Sequence, residues 1–446
     1  MDSCVIKNDS HNPNEEKFVD EDFHPVKKII ENDPFLVTDV EWERIEHLYN
    51  SPMINKKISP KIIRQGYLGD CHLISALCSI SCSYDHVNSL FDNSEDLPPG
   101  SICVKFHYFG EIKKIIVDTL VPLKNNRMIL SRPKTKNDPW WFTIIEKAYA
   151  KLFGSFGAIV GGNSDSTFFR LVGGWPFAFY FDDPDVQELL HNDKMWKRMK
   201  RWNRKGYFMC CGSLDGPMNM KNEKNIYFSH SYSILKVVEI KKHKLIYMRN
   251  TWGKSEWSGK WGINSTKWND FYLKELKYKK KNDGNFWINF HDFKKYFNSL
   301  YVDIILKSNW KNYGIGGTWL PSNNNIIQAN NMNDQAYDPH TLKQWIINFE
   351  LPTTIKCTFE KGGEPAICYV TLIKEGNNKE SNIFIDADQS IFTQIIPKIS
   401  EVTSFHWTVE EIDTPWILCL CRESKNTTTP FYLTIYSLDD ILITPM

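Results

Sequence analysis

The sequence is poor in the features that mark membrane, metal-cluster and nucleic-acid proteins. No apolar run approaches the ~20 residues that a bilayer span needs. The polar stretch Met1–Lys17 holds no apolar segment of the kind found in a secretory leader. The 11 cysteines, at positions 4, 71, 78, 82, 103, 210, 211, 357, 368, 419 and 421, include no C-x-x-C pair. No Cys/His cluster has zinc-ligand spacing either, which argues against a structural metal site. Fifty-four basic against 53 acidic residues leave a net charge of +1, which offers no support for a nucleic-acid or anionic-membrane partner. There is no D-x-[DN]-x-[DN]-G loop, hence no EF-hand, and no fixed-period repeat. Together these absences lead us to expect an intracellular, cytoplasmic protein with free thiols.

What is present is an ordinary globular composition, 42% apolar and 24% charged, in 446 residues, enough for several domains. Aromatic content is high, with 16 Trp, as in β-rich cores. The most informative stretch is Gln65-Gly66-Tyr67-Leu68-Gly69-Asp70-Cys71, followed by Leu73, Ile74, Leu77 and Ile80 on one helical face. Gly69 and Asp70 supply a turn and a helix start. Cys71 therefore stands at a helix N-terminus, where the backbone dipole favours a thiolate. Gln65 carries an amide N–H donor that a turn can aim at a developing oxyanion. A buried structural cysteine fits the same segment, and the segment alone leaves both readings open.

Along the chain, residues 1–20 read as a flexible arm. Val40 to Tyr49 reads as a short amphipathic helix carrying Trp42 and Ile45. Strands are expected at Ile102–Phe106 and Ile115–Asp118, and a helix at Trp140–Leu152. The pairs Gly161-Gly162 and Gly173-Gly174 bracket a connecting segment, the second being a hinge candidate. Val186–Met199 reads as a helix and Gly206–Cys211 as a strand. Ser231–Ile240 and Leu245–Arg249 form a hairpin that brings His230 and Asn250 to the same end. From about Trp310 the short segments Trp345–Glu350, Ile355–Phe359, Ala366–Ile373, Trp416–Cys421 and Phe431–Tyr436 suggest an antiparallel sandwich of about 130 residues.

These motifs resemble one family. Gln-Gly-x-x-Gly-Asp-Cys at 65–71, Glu-Lys-Ala-Tyr-Ala-Lys at 146–151, the two glycine pairs, Ser-His-Ser-Tyr-Ser at 229–233, Arg-Asn-Thr-Trp-Gly at 249–253 and Asp-Gly-Asn-Phe-Trp at 283–287 are similar to calpains, in the family's order. So is Phe18–Pro25. The resemblance covers residues 18 to about 308 and implies an α+β fold: a papain-like calpain protease core in two subdomains, 21–173 and 174–308, followed by a C2-like β-sandwich at 309–446. It implies an intracellular cysteine endopeptidase acting on protein substrates through an acyl-enzyme. Cys71 matches the nucleophile, His230 the general base and acid, Asn250 the group orienting the imidazole, Gln65 the oxyanion donor and Trp252 the shielding indole. The alternative is a catalytically weak or inactive regulatory relative.

Two departures sit beside the site. His72 stands where calpains usually have Trp, and an i+1 neighbour on a helix faces elsewhere. Thr251 replaces the usual Pro. The calcium sites implied by the resemblance are depleted. Ile62, Ser166 and Phe169 stand where acids are usual in the first. In the second, Glu256 and Asp283 survive as remnants but Ile263 and Asn285 replace ligands. No required cofactor is expected, with calcium weakly supported at most. Without an EF-hand domain, a monomer lacking a small partner subunit is expected. Cys210, Cys211, Cys419 and Cys421 are expected as small apolar strand residues.

Overall fold

The computed structural model describes residues 17–23, 40–92, 97–320, 343–363, 366–374, 391–396, 401–410, 415–422 and 427–446. Most of the expected arm, residues 1–16, lies outside them. At its end, Asp20 is buried: its N–H donates to Asp118 and its carboxylate accepts from Lys151 Nζ at 2.7 Å. The chain divides into two units, Met1–His107 with Ile112–Ile304, and Tyr108–Glu111 with Ile305–Met446. No helix among the described residues is long and apolar enough to cross a membrane.

The first unit is built on a six-stranded antiparallel sheet. Its strands run in the order Asn285–Asn289, His243–Asn250, Ser231–Ile240, Phe208–Ser213, Phe297–Ile304 and Trp175–Tyr180. The helix Lys194–Lys205 covers one face of it. Met195, Trp196, Met199 and Trp202 recur on one side of that basic helix and bury against Met209, Ile234, Ile246 and Leu300. The expected hairpin is present, and its register pairs Tyr232 with Asn250, so the segment just before one strand and the end of the other are neighbours.

Two expected elements differ. Val40–Arg44 is a strand, followed by a single helical turn at Ile45–Leu48. It pairs with Leu120–Lys124, from Val40↔Lys124 to Arg44↔Leu120, so long-range pairing overrides the weak helical spacing of Trp42 and Ile45. Val186–Met199 is not one helix but parts of two, Pro184–His191 and Lys194–Lys205. The break lies at Asp193, which takes φ +60, a conformation Asp tolerates better than most residues, and Asn192 Oδ1 accepts from Lys194 N. Between the two glycine pairs runs a helix, Ser164–Val172, closed by Gly173 at φ +66.

Gly174 packs against a buried acid. A Cβ there would lie 2.3 Å from Asp303 Oδ1, and neither Asp303 carboxylate oxygen has a hydrogen-bond partner among the described residues. Burial pushes the Asp303 carboxyl up to about 7. Its folded pKa thus exceeds the unfolded ~3.9, so the protonated form is favoured in the fold and stability falls as pH rises from about 4 to about 7. Asp303→Asn is expected to raise stability at pH 8 by up to about 4 kcal/mol and to leave it little changed at pH 4. Urea melts at the two pH values check this, and a gain of equal size at both would contradict it.

The second unit is a two-sheet sandwich. One sheet orders Lys311–Trp319, Thr429–Ser437, Thr353–Lys361 and Val402–Val409. The other orders Ile391–Ile396, Cys368–Lys374, Trp416–Arg422, Lys343–Phe349 and Ile441–Pro445. Both feed one core, with Trp319, Phe359 and Leu433 from the first sheet and Ile347, Leu372 and Leu418 from the second. Lys311–Trp319 was not evident in sequence, because Gly314, Gly316 and Gly317 dilute its pattern. The structure supplies the reason for one of them: a Cβ on Gly314 would lie 1.8 Å from the Tyr432 hydroxyl. The ten cysteines in the described residues form no disulfide. Cys210 and Cys211 are buried on their strand as expected.

Candidate active site

Cys71 is the first residue of the helix Cys71–Ile80, with Asp70 at the N-cap. Its own backbone N–H therefore has no intrahelical acceptor. The loop before it is pressed against the chain at 129–130: Tyr67 N donates to Ile129 O at 2.7 Å, and a Cβ on Gly66 would lie 1.8 Å from that carbonyl. The helix is buried on every side, not on the one apolar face expected. Its serine face docks on the hairpin. Ser75 Oγ meets Ser231 Oγ at 2.8 Å, Ser233 Oγ donates to Ser75 O at 2.8 Å, and Met209 N donates to Ser79 Oγ.

That docking brings the hairpin end to the cysteine. His230 Nε2 donates to Asn250 Oδ1 at 3.1 Å. The amide cannot face the other way, because Asn250 Nδ2 donates to Lys254 O at 2.9 Å and to Ser255 O at 3.2 Å. The Trp252 ring lies 4.6 Å from the imidazole and 4.2 Å from Tyr227, so indole and phenol cover the His–Asn contact. His230 is nearly enclosed, 6% exposed, and burial lowers its pKa to about 4.

Cys71 is half-buried and lies beside Ser231, whose backbone N–H stabilises the sulfur's charged form. Burial outweighs that contribution and pushes the thiol up to about 11, opposite to the direction expected from the helix dipole alone. Burial thus favours the neutral form of both groups, thiol and imidazole.

Thr251 is the residue whose contribution sequence reasoning missed. It is fully buried, and its hydroxyl donates to Gln65 Oε1 at 2.6 Å and lies 3.1 Å from His230 Nε2. Gln65 N also donates to Thr251 O at 2.9 Å. The Gln65 amide N–H groups go to Leu68 O at 2.8 Å and Asp70 Oδ1 at 3.3 Å. Gln65 is thus tied to Asp70 at the start of the Cys71 helix, with its donors turned into its own loop. Asp70 in turn faces Glu146, and burial pushes both carboxyls upward, Asp70 to about 7, so this pair retains a proton at neutral pH. Glu146 was legible only as part of a motif. His72 faces away from the site, as expected of an i+1 neighbour, but into the core: its ring nitrogens meet Thr167 Oγ1 at 2.7 Å and Ile159 O at 3.1 Å.

Glu256 and Asp283, the calcium-site remnants, spend carboxylate oxygens on the chain itself. Glu256 Oε1 accepts the backbone N–H groups of Asp283 at 2.7 Å and Gly284 at 3.0 Å, and burial pushes this carboxyl up to about 7. Asp283 Oδ1 accepts from Asn285 Nδ2 at 2.6 Å. The adjoining cavity, of about 540 Å³, has Glu256 as its only carboxylate, with Ile263 and Lys254 in its wall. Ca²⁺ takes six to eight oxygens including several carboxylates, and these residues do not fit it. Ile62 is buried, and Phe169 lies on its helix with its ring 6.2 Å from that of His107, so the first expected site fits no better.

A profile described as calpain family cysteine protease matches residues 18–303. Calpain-type cysteine protease ADL1 of Oryza sativa subsp. japonica is 28% identical over 325 residues, 68% of this chain and 15% of that protein. Calpain-8 of Rattus norvegicus is 30% identical over 276 residues, 59% of this chain and 38% of that protein. The calpain-1 catalytic subunit of Bos taurus is 29% identical over 301 residues, 63% and 41% respectively. The chain spans less than half the length of each of these relatives.

Proposed function

Because the chain belongs to the calpain family of cysteine proteases, we propose that it is a cysteine endopeptidase working through Cys71, His230 and Asn250. The observation that carries this reading is the His230 Nε2–Asn250 Oδ1 hydrogen bond, with the amide locked from its other end. It places the proton on Nε2 and leaves Nδ1 free to act as base. In the proposed reaction Nδ1 takes the Cys71 thiol proton as sulfur attacks the scissile carbonyl carbon. The carbonyl electrons move onto oxygen, facing the Cys71 backbone N–H and the Gln65 amide. Collapse breaks the C–N bond, and the imidazolium gives its proton to the leaving amine. Water, deprotonated by the same Nδ1, then attacks the acyl-enzyme and releases the acid, restoring the thiol.

Residues 21–173 and 174–308 are two subdomains of a papain-like core, and 309–446 is a C2-like sandwich. The serine contacts between the Cys71 helix and the hairpin support assembly of the site from protein contacts alone, with little or no core-bound calcium. The protein is read as a cytoplasmic monomer acting at a few sites in protein substrates.

The test is intact mass after exposure to an epoxide thiol inhibitor, in calcium and again in chelator. One adduct in both conditions, absent from Cys71→Ala, is expected. Labelling only with calcium would overturn the calcium-independent assembly. No labelling in either would favour a non-catalytic relative that binds partners through its cleft.

A further inference from the structure

A cleft of about 410 Å³ opens against Gln65 and Trp252, the amide and the indole of the active site. Its remaining wall is notable for charge. Arg127, Arg132 and Lys254 line it, and no Asp or Glu does. Arg132 is held there by donating Nη1 to Gln65 O at 3.4 Å. None of the three forms an ion pair among the described residues. Some other cations of this unit do meet acids, as in Lys147–Asp118, Lys151–Asp20, Lys200–Glu239 and Lys244–Asp193.

The accumulation is local, since the chain as a whole carries 54 basic and 53 acidic residues. It is also costly. Behind the cleft Arg64 is half-buried, and burial together with the charges of Arg249 and Arg132 makes its protonated form harder to hold, with Asp283 the one opposing charge. Unpaired like charges around a concave, low-dielectric wall concentrate positive potential and attract anions. An anion drawn into this cleft sits against Gln65 and Trp252.

We infer that this cleft is a substrate subsite for carboxylate side chains, so that the enzyme selects peptides with Asp or Glu close to the scissile bond. The inference rests on the protease reading above for where the peptide lies, and on the three unpaired cations for what it carries. Arg132, anchored through Gln65 O, offers a guanidinium with spare N–H groups for a bidentate contact. Arg127 and Lys254 are exposed and contribute mainly field and encounter rate.

The experiment starts from one cleaved peptide, found by mass spectrometry of new termini in a digest of unfolded protein. Matched peptides then carry Glu, Gln or Lys at the flanking positions. The expected order of kcat/KM is Glu, then Gln, then Lys, with about 5-fold between the extremes for exposed charge pairs, shrinking in 0.5 M salt. In Arg127→Glu/Lys254→Glu the order reverses. Equal rates, a preference for Lys, or a Glu preference that survives the double charge reversal would overturn the inference. Equilibrium binding of the same peptides to Cys71→Ala separates the two claims. If no peptide is cleaved and no thiol is alkylated, the protease reading fails. The cleft inference then stands or falls on whether a Glu-bearing peptide of the same protein digest binds Cys71→Ala more tightly than its Lys-substituted counterpart.

Discussion

Cys71→Ala is expected to lower peptide hydrolysis by at least about 10³-fold while leaving the folded state intact. The loss is large because the proposed reaction passes through a bond to this sulfur, and Cys211, the other thiol near the hairpin end, is buried on its strand. Cys78 and Cys210 are buried, with burial pushing both thiols upward, so neither substitutes for Cys71. The structural cost is small. Cys71 is half-buried at the first helical position, and the residues that anchor the helix, Leu73, Ile74, Leu77 and Ile80, are untouched. A thermal midpoint within a few degrees of the parent is therefore the control.

The same residue predicts a pH profile. Burial sets the His230 imidazole near 4 and the Cys71 thiol near 11. His230 must be neutral to accept the proton, so kcat/KM is expected to hold down to about pH 5 and to fall only as His230 protonates below that. An acid limb centred near pH 6.5 would mean an imidazole in contact with solvent, contrary to its 6% exposure.

How much of this was legible in the sequence follows from the range of the interactions involved. The end of the hairpin was legible because strand alternation and a short polar turn are local, and they alone bring His230 and Asn250 together. The Cys71 helix was legible by its apolar spacing, but its burial on the serine side was not. Ser75 and Ser79 lie off that apolar spacing and are buried only because Ser231, Ser233 and Met209 are laid against them. Val40–Arg44 was misread for a similar reason, since its partner strand begins at Leu120. The Asn192–Asp193 break was hidden by an apolar pattern that continues through it. Asp70 and Glu146 lie far apart in the chain, so nothing local announces that they share a site. Thr251 reads in sequence only as a missing proline, because the partners of its hydroxyl, Gln65 and His230, lie far from it in the chain.

That hydroxyl carries the second large effect. It has one proton, and the 2.6 Å contact gives it to Gln65 Oε1. Thr251 can then only accept from His230 Nε2, at 3.1 Å, beside Asn250 Oδ1 at the same distance. Two acceptors thus face one Nε2–H, which favours the tautomer with Nδ1 bare for the Cys71 proton. The other end of the bridge holds Gln65. Of its two donor contacts, the 3.3 Å bond to Asp70 is the longer and the one a developing oxyanion displaces. Gln65→Ala is expected to cost about 10²–10³ in kcat. Thr251→Val, which keeps the shape and removes the bridge, is expected to cost about 10-fold or more in kcat with KM little changed, because it leaves Gln65 Oε1 buried and unpaired. Thr251→Ser should restore most of the rate. The double variant Gln65→Ala/Thr251→Val should be little slower than Gln65→Ala alone, since the bridge has no second end to hold once the amide is gone. Losses that multiply in the double variant would mean that Thr251 acts on His230 independently of Gln65. A Thr251→Val enzyme as fast as the parent would mean that the hydroxyl fills space where proline does so in other calpains.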